Sequence, residues 1–508
     1  MEFPVIATQD QIREVEIRFS FLRQLYNAAL GELFKRLDRL NADPGYQNTI
    51  ADYRIARKAG DENRRKKLAG ELNTLSKKHA ITESSIQAFT TANKNSGCFK
   101  DHLDAHTTQT IASRAFNAVS KWRFNGYGKP RFKSWQRGIS SCEGKNKSCI
   151  RINPGDETNP TSLVWKNLVI PLKLDKKDKQ GYQSAALDLI EKEEWKYCRI
   201  LSRKVRGRSQ LYVQVVLPGR SFIKARHRAQ LKDAQGRRAG LDLGPSTIAA
   251  VSKSGALLSP ISADSKRMQL EIKKLQRQNS RRLRLANPAN YNAHTRRRGR
   301  RTVTVCSVKK GQRHRVKSKE YLRTAALIKE KHRVMAARRK QGHDILANEI
   351  LAMGTTVLTE KLSYKVWQKT FGKSVGANAP GSLINTIKRK AENADGELIE
   401  INTWKAKLSQ YDHELDSYKK KRLSERVHFV GGEIAIQRDL YSAFLALCID
   451  EKENVVSRTT ALESWPSIRH LLEAAVIRLS ETASGSASPS SFGPGQFLPG
   501  SQSEPLAA

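Results

Sequence analysis

Three acidic residues stand inside apolar segments of this 508-residue chain. Asp242 lies in the run GLDLG, Glu360 ends the run TTVLTE, and Asp439 lies at helical spacing from Ile436 and Ala443. An ionised carboxylate in apolar surroundings is unfavourable unless a cation or a metal ion compensates its charge. A fold for this chain must therefore expose these side chains or bring each of them to a compensating positive charge.

Each of the three acids also has an ordinary structural explanation. Asp242 precedes a glycine as turn aspartates do, Glu360 is compatible with a strand end on the surface, and Asp439 is compatible with a buried ion pair to Arg438. The order along the chain is more informative than any single position. It is a strand Asp, a strand Glu 118 residues later (360 − 242), and a helix Asp another 79 residues later (439 − 360).

Carboxylates from separate elements are the protein ligands expected for two divalent ions about 4 Å apart, an arrangement that cleaves phosphodiester bonds. The sequence therefore predicts that Asp242, Glu360 and Asp439 are catalytic and hold Mg²⁺ or Mn²⁺.

The chain is strongly basic, with 92 Lys and Arg against 49 Asp and Glu and a formal net charge of +43. This excess predicts salt-dependent binding to nucleic-acid phosphates through counterion release, and it carries no information about base sequence. The chain begins without a basic segment followed by an apolar one, and no run approaches 18 apolar residues. We therefore expect a cytoplasmic protein with no membrane partner.

The six cysteines form no C-x-x-C pair, and the two nearest in sequence are Cys142 and Cys149. This spacing is typical neither of a zinc site nor of a disulfide framework. We expect reduced, structural thiols and no bound zinc.

Residues 1–235 are expected to combine helices with a small β structure. Apolar residues recur at three- and four-residue steps over 13–37, and basic helical sequence continues to about residue 122. Strand-like runs follow at 162–172 and in a hairpin around Gly207. The pattern indicates a helical insertion within, or beside, a small β-barrel or sheet. Four basic residues of the first helix could read a DNA motif in the major groove: Arg18, Arg23, Lys35 and Arg36.

Residues 236–481 are expected to form a second domain after a polar linker at 231–240. The run around Asp242 predicts a strand, residues 248–251 begin another, and 353–362 form a third that carries Glu360.

Helices are predicted at 264–275 and 321–351, and we interpret them as the arms of a basic helical-hairpin insertion (264–351) joined by an arginine-dense loop at 277–303. Two further helices are predicted at 433–449 and 465–481. The Gly-, Ser- and Pro-rich tail 482–508 is expected to be disordered.

Basic residues beside aromatic ones are candidates for binding nucleic acid, because cations contact phosphates while aromatic rings stack on bases. The alternatives are a hairpin that buries the aromatic residues of 121–135 and a solvated arginine loop at 296–301. The candidate nucleic-acid-binding residues are Arg131, Lys133, Trp135, Arg281, Arg282, Arg284, Arg296, Arg297, Arg298, Arg300 and Arg301.

Taken together, three segments resemble the split RuvC motifs of the TnpB-like, transposon-encoded RNA-guided nucleases and of the compact type V CRISPR effectors. These segments are GLDLG…AVSKSG, TVLTEKL and QRDLYSAFLA. The runs GKPRFKSW and NPANYN…RRRGRR also resemble segments of that family. The resemblance extends patchily over residues 13 to 450.

The resemblance implies an α+β multidomain fold: an N-terminal helical recognition lobe with an OB-like wedge barrel, then an RNase H-like (RuvC) α/β domain. It implies a prokaryotic protein whose partners are a guide RNA and double-stranded target DNA. Asp242, Glu360 and Asp439 would hold Mg²⁺ and cut the DNA next to a short flanking motif.

The chain departs from the family in residues 405–435, where relatives carry a zinc-binding module with two C-x-x-C pairs. This segment contains no cysteine, and His413 and His428 alone cannot complete a four-ligand site. We interpret it as a degenerate, zinc-free zinc-finger-like segment. Because the module lies next to the site in relatives, its alteration bears on cleavage.

Three alternatives to a guided nuclease are therefore kept: a guided DNA-binding protein that does not cut, a transposase of the RuvC/RNase H fold, and an architectural RNA-binding protein.

Overall fold

The computed structural model describes residues 1–136, 138–144, 147–311, 315–422 and 425–483. The chain divides into two compact units, Met1–Phe222 and Ile223–Ala508. The tail predicted to be disordered lies outside the described residues from 484 onward.

The first unit combines two small sheets with a block of helices. Its strands are β1 (Glu2–Pro4), β2 (Ser141–Glu143), β3 (Ile150–Asn153), β4 (Ser162–Trp165), β5 (Leu168–Pro171), β6 (Tyr197–Val205) and β7 (Arg208–Val216). Its helices are α1 (Gln9–Ala42), α2 (Pro44–Ala59), α3 (Glu62–Lys78), α4 (Glu83–Asn95), α5 (Phe99–His102), α6 (Ala105–Phe124) and α7 (Tyr182–Glu191). One sheet has the order β1-β7-β6-β2 and the other β3-β4-β5, with antiparallel pairing throughout.

Helices α1 to α6 lie in the chain between β1 and β2, which are strands of the same sheet. The predicted helical insertion within a sheet is therefore confirmed, and so is the β6–β7 hairpin, which turns at Gly207 with φ of 81°. An OB-like barrel stays a prediction.

The first helix is longer than predicted because Thr8 caps it in a reciprocal pair with Gln11. Its Arg18 is only 1% exposed. The Arg18 guanidinium donates to the carbonyl oxygen of Trp165 at 2.6 Å and to Asn167 Oδ1 at 2.7 Å. Arg18 cannot reach a DNA groove from this position, so that part of the prediction is wrong.

The second unit is built on one mixed sheet. Its strands are β8 (Arg238–Leu243), β9 (Thr247–Ser252), β10 (Gly255–Pro260), β11 (Tyr291–Arg298), β12 (Arg301–Val308), β13 (Thr356–Glu360), β14 (Glu397–Ile401), β15 (Tyr411–Asp412), β16 (Ser417–Tyr418), β17 (Val427–Val430), β18 (Ile434–Gln437), β19 (Ile449–Asp450) and β20 (Val455–Val456). Its helices are α8 (Ala225–Asp233), α9 (Ser265–Leu285), α10 (Lys319–Met353), α11 (Tyr364–Asn378), α12 (Pro380–Asn393), α13 (Thr403–Ala406), α14 (Arg438–Leu447) and α15 (Arg458–Ala483).

The central sheet of this unit has the order β10-β9-β8-β13-β14. Strands β10, β9 and β8 pair antiparallel, whereas β8, β13 and β14 pair parallel. The predicted strands around Asp242, at 248–251 and at 353–362 are thus confirmed.

Both faces of the central sheet are covered, as the alternation of side chains along a strand requires. Ala249, Val251 and Leu358 pack in one core with α14 and α15. Leu241 and Val357 point to the other face and pack with residues of α10 and α12. The sheet is therefore a middle layer, and side chains two residues apart on β8 share a face.

Three sequence predictions for the second unit are wrong. The loop at 277–303 is instead the end of α9 and a β-hairpin, β11–β12, because the alternating run TVTV favours a strand and Gly299 adopts φ of 59° in the turn. The polar linker at 231–240 instead contains the end of α8 and the start of β8.

The third error concerns the helix predicted from 433. Residues 434–437 form β18 instead, because glycines 431 and 432 turn the chain back onto β17 with positive φ. In the described ranges, no helix is long and apolar enough to cross a membrane.

Candidate active site

Asp242 and Glu360 lie side by side at one edge of the central sheet. Strands β8 and β13 run parallel, and Leu241 pairs with Thr359, so Asp242 and Glu360 occupy the next position on each strand. Paired residues of adjacent strands point to the same face. Both carboxyl groups therefore project at the carboxyl ends of two neighbouring strands.

Helix α14 brings the third acid to the same face. A Cβ atom added to Gly240 would lie 2.1 Å from the carbonyl oxygen of Ala443, so only glycine allows the helix to contact β8 this closely. Gly240 and Asp242 share a face of β8, and Asp439 lies one helical turn before Ala443. The close contact at Gly240 thus positions Asp439 on the same side of the sheet as Asp242.

Asp439 is the second residue of α14 and is only 8% exposed. The side chain of Gln437 caps the helix by accepting a hydrogen bond from the Leu440 amide at 2.7 Å. The N-terminus of a helix favours negative charge. This local sequence, Gln-Arg-Asp followed by an apolar run, therefore holds a carboxylate at the positive end of a buried helix.

Two arginines lie near Asp439 without satisfying its carboxylate. The Asp439 Oδ1 atom is 3.6 Å from Arg438 Nη2 and 3.9 Å from Arg426 Nη1. Both separations exceed hydrogen-bond length. The buried Asp–Arg pair considered for Asp439 is present as a loose ionic contact, and the carboxylate oxygens remain available to another cation.

The surroundings of Asp242 and Glu360 disfavour their ionised forms. Burial raises the pKa of Asp242 well above its usual range, and the negative charges of Asp439 and then Glu360 raise it further, against the opposing effect of Arg438 and Arg426. Burial also raises the pKa of Glu360 to about 7. The shared face of β8, β13 and α14 is the reason why the charges of Asp439 and Glu360 act on Asp242.

This donor set suits a hard divalent cation. Within the described part of the chain, Asp242 and Glu360 receive no hydrogen bond and no ion pair, and the charges of Arg438 and Arg426 offset that of Asp242 only in part. A bound divalent ion would lower such pKa values. No three His, Cys, Asp or Glu side chains among the described residues are gathered tightly enough to form a ready-made site for one ion. Two ions about 4 Å apart use carboxylates spread over a wider space.

The cysteine-free segment 405–435 is organised by Asp412 in its described part. The Asp412 carboxylate accepts hydrogen bonds from the Glu414 amide at 3.0 Å, the Gly431 amide at 3.2 Å and His428 Nε2 at 3.1 Å. These bonds tie the β15–β16 hairpin to the β17–β18 hairpin. A buried carboxylate thus connects two hairpins here by hydrogen bonds to protein groups.

Histidines of this segment pack in an aromatic cluster. The ring of His428 stacks on Tyr441 at 4.1 Å, and His413 Nδ1 lies 2.8 Å from the Tyr441 hydroxyl. Burial lowers the pKa of His413 to about 4, so its imidazole is neutral at pH 7. The segment therefore packs directly on α14, the helix that carries Asp439.

The arginines predicted to bind nucleic acid lie mainly on the β11–β12 hairpin. Arg296, Arg297, Arg300 and Arg301 are exposed near its tip, and the Arg298 side chain lies outside the described structure. On α9, Arg281 is exposed and Arg284 partly buried. Arg282 differs from these residues because its guanidinium bonds Thr324 and the Glu320 carbonyl, tying α9 to α10.

The aromatic and basic segment of the first unit is exposed along α1. Asn27 exchanges two hydrogen bonds with the backbone of Lys133, and Arg23 lies over the ring of Trp135. Arg131 and Lys133 are exposed, and Trp135 is 76% exposed. No strand forms in the described residues 125–136, so the alternative of a hairpin that buries these aromatic residues is wrong.

Sequence reasoning missed Gly240, Gln437 and Arg426. Gly240 begins the GLDLG run that contains Asp242, and a glycine inside a strand is itself a signal of close backbone contact. Gln437 had the signal of a polar residue before an apolar helix. Arg426 had none, since only the β17–β18 hairpin brings it to Asp439.

Comparison with known proteins gives a distant likeness to solved structures. No family model matches the chain, and neither does any curated protein. Among solved structures, the chain is similar to a protein described as the Cas12f1–sgRNA–target DNA complex, determined by cryo-EM. The TM-score is 0.44 at 13% identity, over 87% of this chain and 83% of that chain.

Proposed function

We propose that this protein is an RNA-guided DNA endonuclease whose metal-dependent site consists of Asp242, Glu360 and Asp439. One observation carries the proposal. Asp242 and Glu360 occupy corresponding positions on β8 and β13, and α14, packed against Gly240, brings Asp439 to the same face of the sheet, although the three acids are separated by 118 and 79 residues in the chain. Such a cluster destabilises the metal-free fold, so a functional role explains it better than a structural one.

The architecture around the site supports an RNase H-like (RuvC) assignment, as the motif resemblance implies. The central sheet has three antiparallel strands followed by two parallel ones, and α14 crosses the face that carries the acids. The catalytic carboxylates lie at the carboxyl ends of strands and at a helix N-terminus, where substrates commonly bind in α/β proteins.

Mg²⁺ or Mn²⁺ held by these carboxylates would supply an activated water and neutralise charge on the phosphate. The protein contributes the remaining features. Arg438 and Arg426 place positive charge beside Asp439, which favours the approach of a phosphodiester. Gln437, two residues before Asp439 in the chain, has a buried Nε2 donor without a hydrogen-bond partner among the described residues.

Guide RNA and double-stranded target DNA are the proposed partners. Exposed arginines of the β11–β12 hairpin and the segment containing Arg131, Lys133 and Trp135 offer phosphate contacts and stacking. A two-stranded ribbon fits the major groove of a B-form duplex.

The test uses purified full-length protein with the RNA that copurifies with it, which is sequenced and used to design matched DNA. We expect Mg²⁺-dependent cutting of that DNA. Asp242→Ala and Asp439→Asn should abolish cutting while RNA affinity stays within about twofold, because neither side chain lies among the RNA-binding candidates. Asp233→Asn changes an exposed acid and is the matched control that should cut normally.

The outcomes separate the alternatives. Target binding without any cutting by the unmodified protein would favour a guided binding protein, and strand-joined products would favour a transposase. Normal cutting by Asp439→Asn would refute the site assignment.

A further inference from the structure

Trp404 is the most exposed of the large hydrophobic side chains that the structure describes, at 87%. Tryptophan usually buries most of its surface, and an exposed ring with no packing function is unfavourable in water. Its position near the candidate active site gives a reason for this exposure.

The backbone beneath Trp404 is held firmly. Its amide donates to Asn402 Oδ1 at 3.0 Å, and the Asn402 amide donates in turn to Asn454 Oδ1 at 3.0 Å. Thr403 Oγ1 donates to the carbonyl oxygen of Lys361 at 3.2 Å, and Ala406 is fully buried. The ring is therefore presented outward by an anchored turn.

Trp404 lies close to the carboxylates. Glu360 pairs with Ile401 in the β13–β14 register, and Trp404 follows Ile401 by three residues. Three Cα steps of about 3.8 Å and one strand spacing of about 4.8 Å place the two Cα atoms within about 16 Å. Stacked nucleotides rise about 3.4 Å each, so this distance corresponds to at most about five nucleotides.

Exposed lysines are close to Trp404 in the chain. Lys405 and Lys407 are exposed on the same turn, and Lys407 Nζ lies 5.6 Å from the centre of the half-exposed Tyr418 ring. Trp404 also lines an open cleft of about 360 Å³ with Lys361, Glu400, Asn402, Thr403 and Asn454. Lys361 lies 3.9 Å from the Glu400 carboxylate and offsets its charge. Aromatic rings between cations are the pattern of single-strand binding surfaces.

We propose that Trp404 is a stacking platform for an unpaired base of the DNA strand that enters the active site. This inference rests on the proposed function for the identity of the strand, and on Trp404 and its lysines for the contact. Stacking on the indole holds the strand within a few nucleotides of Asp242 and Glu360, while Lys405 and Lys407 contact its phosphates. Trp404 is thus a positioning residue rather than a catalytic one.

The experiment uses 2-aminopurine, a fluorescent base that is quenched when it stacks. Single-stranded DNA carrying it at successive positions is bound at saturation to the full chain with Asp242→Ala, without metal. We expect strong quenching at one or two positions. Adding Trp404→Ala should relieve it, adding Trp404→Phe should retain much of it, and adding Val366→Ala, which shortens another exposed apolar side chain, should leave it unchanged.

Cutting gives a second readout in the chain with Asp242 intact. Loss of one stacked base, about 1–3 kcal/mol, predicts a 5- to 150-fold fall in the single-turnover cutting rate below saturation, partly rescued by Trp404→Phe. Quenching that is the same in Trp404→Ala would overturn the inference even if DNA is cut normally. Quenching that depends on Trp404 in a protein that never cuts would sink the nuclease proposal and leave the stacking site standing.

Discussion

Replacing Glu360 with Gln should stabilise the metal-free protein while abolishing its activity. Glutamine keeps the shape of the side chain and removes its charge. Burial raises the pKa of Glu360 from 4.5 to about 7, so the folded protein holds this proton more tightly than the unfolded chain does. The folded state is therefore favoured at low pH and loses stability as pH rises from about 4.5 to 7.

The size of the effect follows from the two pKa values. The difference of about 2.5 units (7 − 4.5), at about 1.36 kcal/mol each, corresponds to about 3 kcal/mol once pH exceeds both values. Glu360→Gln does not incur this cost at any pH. We expect the variant to be about 3 kcal/mol more stable than the unmodified protein at pH 8 and nearly equal to it at pH 4.

The assay is urea unfolding at pH 4, 6 and 8 in the presence of a chelator, with Glu397→Gln as control because Glu397 is exposed at the start of β14. Saturating Mg²⁺ at pH 8 should then stabilise the unmodified protein more than the variant, since it binds the folded state only. A variant that is less stable at pH 8 without metal would show that Glu360 makes structural contacts, and the reasoning from burial would be refuted.

Four further results are expected. Gly240→Val should destabilise the fold by about 1–3 kcal/mol or more in urea unfolding, because its side chain would meet the backbone of α14. Replacing Arg296, Arg297 and Arg298 together by Ala should reduce the slope of log affinity against log salt by about 3 in binding titrations. Asp412→Ala should lower the free energy of unfolding by about 2–3 kcal/mol in the same assay, because buried hydrogen-bond donors would lose their acceptor. Elemental analysis of the unmodified protein should find no stoichiometric zinc.

Each of these has an outcome that would contradict it. A stable Gly240→Val variant would mean that α14 does not contact β8 so closely. An unchanged slope of log affinity against log salt would mean that the arginines of the β11–β12 hairpin are solvated and do not contact phosphates. One zinc ion per chain would overturn the interpretation that hydrogen bonds, rather than a metal, hold segment 405–435 together. Gly70→Ala, in open space on α3, is the control for Gly240→Val.

Local patterns predicted most elements near the site. Apolar runs of five or six residues with a single acid identified β8 and β13, because a strand covered on both faces needs few polar side chains. The apolar run after Asp439 identified α14, because a helix that is buried over most of its surface likewise needs few polar side chains. The prediction failed at 277–303 and 433–437, where arginine-rich or mixed sequence is compatible with loop, helix or strand and pairing with a distant strand decides the outcome.

The sequence by itself determined which side chains are chemically unusual: carboxylates among apolar neighbours in a chain with a large excess of positive charge. It could not determine that Asp242, Glu360 and Asp439 lie on one face of the central sheet, nor that Arg426 lies beside Asp439 while Arg282 holds two helices together. The first of these facts depends on strand register and on the contact of α14 with Gly240, and the other two depend on the β17–β18 hairpin and on the packing of α9 against α10. Local preference arises from neighbours in the chain, whereas electrostatic coupling depends on distance in space, which only the packed sheet and helix establish.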